Sequence, residues 1–399
     1  LSLRRQRQMC IRDRLQIEQR KQFDLSQKTI ALDIKLDSYL WTSVTQKGDP
    51  KPTIDNFKTL LKAYGFEVKY NMITRRCEKS LKNHSFMIDN HDNNIRAEIT
   101  SVCTLNNMKI TESTIHSYLG NIAEKNIYNP VEDWINSKKW DGKSRLQDIY
   151  DTVITDTPNK ELYLRKWLLS ATAAATMKKG FFSKGVLVFQ GGQSVGKTSW
   201  FKKLLPSEMH DLLLEGSSID PSNKDSVVKV VRRWLVELGE LDATFRKADI
   251  ARLKAFISSE EDVIRLPYAQ EESRFTRRTA FFASVNERTY LVDNTGNTRW
   301  WTLAIKDINY KHDIDMQQLF AECLVLLRQG EQWWFTQEEE KLLEINNSEF
   351  LTISPFEELI QEKYNFSKPA CIPVTATELL IKLGYLNPNK KQRNEMGQV

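Results

Sequence analysis

The sequence predicts an α/β protein built on a parallel sheet, with helical regions on either side of that core. Three observations predict it. From Gly185 onward, short apolar strands alternate with helical segments, the order that gives a parallel sheet covered by helices. Within that stretch, VLVFQGGQSVGKTSW runs from a buried strand through glycines into a helix. Before and after it, helix-period patterns dominate.

Taken in order, residues 15 to about 50 are charged and read as helical, ending at KGDPKPT. TIDNFKTLLKAYG places Ile54, Phe57, Leu60, Leu61 and Tyr64 on one helix face, started by Thr53 or Asp55 and stopped by Gly65. FEVKYNMITRRCE reads as a strand or hairpin, and ESTIHSYLGNIAEKNIY as a short helix. In NPVEDWINSKKWDGKSRLQDIYDTV, Trp134, Ile135 and Trp140 are anchors and Asp141-Gly142 a turn. ELYLRKWLLSATAAATMKKG is a helix closed by Gly180.

The core follows. GVLVFQ is a strand, TSWFKKLLP a helix, DLLLEG a strand, DSVVKVV a helix and RRWLVELGEL a strand. RKADIARLKAFISSE is the next helix, with Ile250, Leu253, Phe256 and Ile257 on one side. A hairpin and a buried strand share VIRLPYAQEESRFTRRTAFFASVN, and TRWWTLAI is the last strand. The expected organisation is a mixed helical region over 15–128, a helical linker domain over 129–180, the strand–helix core over 181–310 and a helical region over 311–399.

Composition narrows the function classes. Hydrophobic residues make up 40% and charged residues 28% of 399, as in a globular protein with a substantial core. No apolar run reaches the roughly 18–20 residues that span a bilayer, so no membrane partner is expected. The opening LSLRRQRQMCIRDR reads as translated sequencing adapter and is set aside for residues 1–14. It carries five arginines against Asp13, a net of +4, so the formal +6 of the whole chain leaves +2 elsewhere. Nucleic-acid binding must then rest on local patches. Cys10, Cys77, Cys103, Cys323 and Cys371 form no CxxC pair, which argues against zinc and a disulfide framework and for a reduced, cytoplasmic protein.

Gly191-x-x-x-x-Gly196-Lys197-Thr198 matches the phosphate-binding loop in full, between a strand and a helix. In such a loop the backbone from Gly191 and Gly192 through Gln193, Ser194, Val195 and Gly196 to Ser199 cradles phosphates. Lys197 reaches the outer phosphates of ATP, and the Thr198 hydroxyl ligates Mg²⁺. An acid on a neighbouring strand must complete the site. Glu240 is the first candidate for the metal, at a strand's C-terminal end where ligands bind in open sheets. Glu237 is the alternate, because an unpaired carboxylate among apolar residues is costly. Asn286 ends AFFASVN and is placed to orient water or sense the terminal phosphate. Arg299 precedes Trp300 and Trp301, where an arginine either serves a neighbouring subunit's phosphoryl chemistry or stacks on tryptophan.

Together, TIDNFKTLLKAYG, NPVEDWINSKKWDGKSRL, GGQSVGKTS, WLVELGELDA, KAFISSEEDVIRLPY, RRTAFFASVN and GNTRWW resemble the virulence-associated protein E family, relatives of the superfamily-three replicative helicases. The resemblance spans roughly residues 50–390. It implies an AAA-like core, a homo-oligomeric ring, ATP and Mg²⁺ as cofactors and DNA as partner. Carried over, it gives Lys197, Glu240 and Asn286 catalytic roles, with Arg299 as the arginine finger. Thr298 stands where the family has a first arginine, which weakens that last match. The segment after the acidic strand implies a DNA-facing hairpin carrying Arg265, Tyr268, Arg274, Arg277 and Arg278. Basic residues with an aromatic suit a single-stranded backbone, although a salt-bridged hairpin using Glu271 and Glu272 fits the same residues. VTATELLIKLGYLNPNKKQRNEMGQV resembles the start of a winged-helix-like domain. The function these features imply is a DNA-stimulated Mg²⁺-ATPase, a replicative helicase of a phage or mobile element. The alternative is a nucleotide-switched DNA-binding initiator that separates no strands.

Overall fold

A computed structural model describes residues 29–84, 86, 88–217, 219–239, 247–264, 272–291, 297–352, 355–364 and 373–397. It divides into two units, one ending at Trp134 and the other beginning at Ile135.

In the first unit, helix α1 (Ile54–Tyr64) starts where the Thr53 side chain accepts from the Asn56 amide, and stops at Gly65 with φ 80°. Its buried face is the one the spacing predicts, including Phe57, Leu60, Leu61 and Tyr64. Strands β1 (Phe66–Asn71) and β2 (Arg76–Leu81) form the expected hairpin. The short strand β3 (Ile127–Tyr128) adds to β1 in parallel. Helices α2 (His91–Leu105) and α3 (Glu112–Glu124) contribute Ile95, Ile99, Ile115 and Leu119 to one core with α1.

The helix expected up to residue 50 is absent from its described part. The only helical element in residues 29–50 is a 3-10 turn at Ser38–Leu40, and Val44 bridges Pro50 in antiparallel fashion. Asn56, fully buried, satisfies this segment's backbone instead. Its Oδ1 accepts from the Thr42 N–H at 2.8 Å, and its Nδ2 donates to the carbonyls of Ser43 at 2.7 Å and Lys51 at 2.9 Å. A side chain from another element thus supplies the partners a helix would have provided.

The second unit is the α/β core. Strands β4 (Val153–Thr155), β5 (Val186–Gln190), β6 (Leu213–Ser217), β7 (Leu235–Leu238), β10 (Ala280–Val285) and β11 (Trp300–Ile308) form a six-stranded sheet in the order β4-β11-β5-β10-β7-β6. All neighbours are parallel except β4, which pairs antiparallel with β11 at one edge. Strands β8 (Glu261–Ile264) and β9 (Ser273–Thr276) form a separate antiparallel hairpin between β7 and β10 in the chain. Helix α6 (Lys160–Thr176), after α4 (Pro130–Ile135) and α5 (Leu146–Asp151), is buried on nearly every side. The Trp167 indole in α6 donates to the Phe281 carbonyl of β10 at 2.6 Å. The strand expected at RRWLVELGEL is shorter, with Leu235–Leu238 all buried.

Candidate functional site

The loop after β5 takes its shape from its neighbours. Val186 to Phe189 are fully buried, which fixes where β5 ends. A Cβ on Gly191 would lie 2.6 Å from the Ile305 carbonyl oxygen, so only glycine allows this approach of loop to β11. Gly196 has φ 92°, and a Cβ there would lie 2.3 Å from the Tyr310 ring. Ser194 adopts φ 62° without being glycine, a local strain of a kind that clusters at ligand-binding segments. Helix α7 (Lys197–Lys203) follows directly.

Lys197 is 7% exposed, and its ammonium donates to the carbonyls of Gly191 at 2.5 Å and Gly192 at 2.9 Å. It also donates to Asn286 Oδ1 at 2.9 Å. The register explains the last contact. Val285 of β10 lies beside Gln190 of β5, so Asn286 emerges level with the loop. Burial lowers the Lys197 pKa from the ordinary lysine value, opposed by the nearby charge of Glu237.

Thr198 Oγ1 donates to Glu237 Oε1 at 2.8 Å and lies 3.4 Å from Ser284 Oγ. Glu237 Oε2 accepts from the Gly216 N–H of β6 at 2.9 Å. This carboxylate is 5% exposed and both its oxygens are engaged, which answers the cost of burying it. The sequence ranks Glu240 first and Glu237 as alternate; the structure brings Glu237 to Thr198, while Glu240 lies outside the described residues. A threonine hydroxyl beside a carboxylate is a hard oxygen pair of the kind that suits Mg²⁺. Sequence reasoning misses Ser284, whose one signal is a hydroxyl inside the apolar run AFFASV.

Arg299 does not join this group within its own chain. Trp300, the next residue, pairs with Val186 at the start of β5, whereas the loop follows its far end. The Arg299 Nε donates to Ser258 Oγ at 3.0 Å. Trp300 and Trp301 are buried at 3% and 1% exposure.

The hairpin arginines divide. Arg274 has a side chain 78% exposed, 4.0 Å from Glu261. Arg277 is fully buried: its Nε donates to Asp262 Oδ2 at 2.7 Å and its guanidinium lies 4.4 Å from the Phe256 ring centroid. Arg278 is 5% exposed and donates to the Ala175 carbonyl at 2.8 Å. The expectation that Arg277 and Arg278 meet a nucleic-acid strand is therefore corrected: both guanidiniums are spent inside the fold. Arg265 and Tyr268 lie outside the described residues.

A sequence model of the virulence-associated protein E-like domain matches residues 135–352, more than half of the 399. The chain belongs to this family. No curated protein matches it. Among solved structures it is similar to the apo C-terminal region of NrS-1, at 14% identity and a TM-score of 0.40, covering 78% of this chain and 75% of that one. It is also similar to JCV helicase bound to a thiazolopyridine acetamide, at 12% identity and a TM-score of 0.28, covering 69% and 82%.

Proposed function

We propose that this protein is a Mg²⁺-ATP-dependent, DNA-stimulated ATPase acting as a replicative helicase of a phage or mobile element, working as a homo-oligomeric ring. The observation that carries the proposal is the convergence of Lys197, Thr198, Glu237 and Asn286 on one loop, from three parallel strands. In this reading the Gly191–Ser199 backbone cradles the phosphates and Lys197 neutralises the outer ones. Thr198 and Glu237 would hold Mg²⁺, which when bound would neutralise the negative charge of the phosphates. Asn286 orients the attacking water, whose oxygen bonds to the γ-phosphorus as the bond to the bridging oxygen breaks, giving ADP and inorganic phosphate. Glu240 takes the water's proton. Arg299, remote from its own loop, is assigned to a neighbour's site.

The burial of Arg277 and Arg278 favours a second reading, because it leaves the hairpin with fewer cations for DNA. That reading is a nucleotide-switched initiator that assembles on DNA without separating strands. Steady-state ATP hydrolysis by residues 15–399, with and without single-stranded DNA, tests the proposal beside Lys197→Ala and Glu240→Ala. A motor shows DNA stimulation that both substitutions abolish. Hydrolysis indifferent to DNA sinks the helicase. DNA binding and assembly that survive in Glu240→Ala then identify the switch.

A further inference from the structure

Lys197, Thr198, Glu237 and Asn286 account for the phosphate end of a nucleotide and leave its base unassigned. All four lie toward β10 and β7, on one side of β5. The other neighbour of β5 is β11. A triphosphate whose terminal phosphate faces β10 therefore sends its sugar and base toward the β11 side of the loop.

The chain places an aromatic ring there. β11 runs beside β5 in register from Trp300 opposite Val186 to Ala304 opposite Gln190. Residues after Ile305 thus continue past the end of β5, alongside the phosphate loop. The Tyr310 ring reaches Gly196, its Cδ1 2.3 Å and Cε1 2.6 Å from where a Cβ would stand. Tyr310 is only half-buried, so the fold does not wholly enclose it. The Lys311 ammonium lies 5.7 Å from its centroid, adding a cation next to the path of an anionic ligand.

We infer that Tyr310 is the platform on which the nucleotide's base stacks, and that it makes the site favour purine over pyrimidine nucleotides. The inference rests on the proposed phosphate-loop function and extends it from the phosphates to the base. Stacking on an aromatic ring is tolerant of base identity but grows with the π-face offered, and a purine offers two fused rings. Tyr310 also explains why residue 196 must be glycine: a side chain there would displace the ring from the loop.

Equilibrium binding of ATP, CTP and inorganic tripolyphosphate with Mg²⁺ to the full chain tests this. Wild type is expected to hold ATP more tightly than CTP. Tyr310→Ala is expected to weaken ATP by about 10-fold, within the range for base–aromatic stacking, and to erase the preference for ATP over CTP. Tripolyphosphate affinity should stay within about 2-fold, since its contacts are all on the loop. Tyr310→Phe should retain ATP binding. ATP affinity unchanged in Tyr310→Ala overturns the platform. So does an equal loss for ATP and tripolyphosphate, which reduces Tyr310 to a support for Gly196. Failure of the underlying assignment reads differently: Lys197→Ala would then leave tripolyphosphate binding intact, and the platform would fall with it.

Discussion

Lys197 shows how one side chain couples burial to ligand charge. Its ammonium is surrounded by carbonyl oxygens and the Asn286 amide oxygen, yet burial still lowers its pKa from the ordinary lysine value. A bound polyphosphate favours the charged form, so binding above that lowered pKa must take up a proton. Nucleotide affinity should therefore fall as pH rises, beginning below the ordinary lysine value of about 10.4. Isothermal titration in buffers of different ionisation enthalpy measures the proton directly. Lys197→Arg, which stays charged, should bind more weakly yet lose this alkaline limb. A limb that persists unchanged in Lys197→Arg would assign it to another group. The lysine and its threonine were legible in the sequence because the loop spacing is local. Both acids were named from the sequence, but choosing between Glu237 and Glu240 is not a local matter: it depends on where β7 ends, and that end is set by pairing with β6 and β10.

At the level of elements, the hairpin shows where sequence reading fails and why. Arginine normally marks solvent or an anionic partner, and the salt-bridged alternative for RFTRRTAFF pointed to Glu271 and Glu272, the nearest acids in the chain. The partner of Arg277 is Asp262, 15 residues back on β8, and the two meet only because β8 and β9 pair. Phe256 from α8 (Lys247–Ile257) and Phe281 from β10 then close over the guanidinium, their ring centroids 4.4 and 5.7 Å from its carbon. The core strands from Val186 onward and the Thr53-to-Gly65 helix were legible because their signals lie within a few residues, whereas β3 and β4, read as parts of helical segments, are strands only through pairing with the distant β1 and β11. The Asn56 loop was not, because its hydrogen bonds span elements. A buried pair is costly to break by halves: Arg277→Ala leaves the Asp262 carboxylate uncompensated and should cost about 3–5 kcal/mol. Replacing both partners together, Arg277→Met with Asp262→Leu, should recover most of that stability. Arg274→Ala should instead leave the unfolding midpoint unchanged. It should weaken single-stranded DNA binding and lower the salt slope by about 1 if Arg274 contacts a phosphate. Denaturant unfolding and anisotropy titrations at several salt concentrations separate the two arginines. A DNA defect as large in the refolded double variant as in Arg274→Ala would return Arg277 to the DNA-binding set.

For the whole molecule, the decisive question is whether one chain makes one complete site. In a parallel sheet, all strand starts lie at one edge and all strand ends at the other. The loop, Glu237 and Asn286 sit at the strand ends, and Arg299 at a start. With about 3.3 Å of rise per residue, the length of β5 alone separates them by more than about 13 Å. An arginine so placed serves phosphoryl transfer only through a head-to-tail contact, in which one copy's strand-start edge meets the next copy's loop. That geometry makes a prediction from mixing. Arg299→Ala keeps its loop and lacks the finger; Lys197→Ala keeps the finger and lacks the loop. Each alone should be inactive. Mixed in equal amounts and reassembled, about a quarter of random head-to-tail interfaces would join an intact loop to an intact arginine, and hydrolysis should return in that proportion. A mixture as silent as its components would mean that Arg299 acts within its own chain, through Ser258 and the start of β11, and the ring would need another residue to complete its sites.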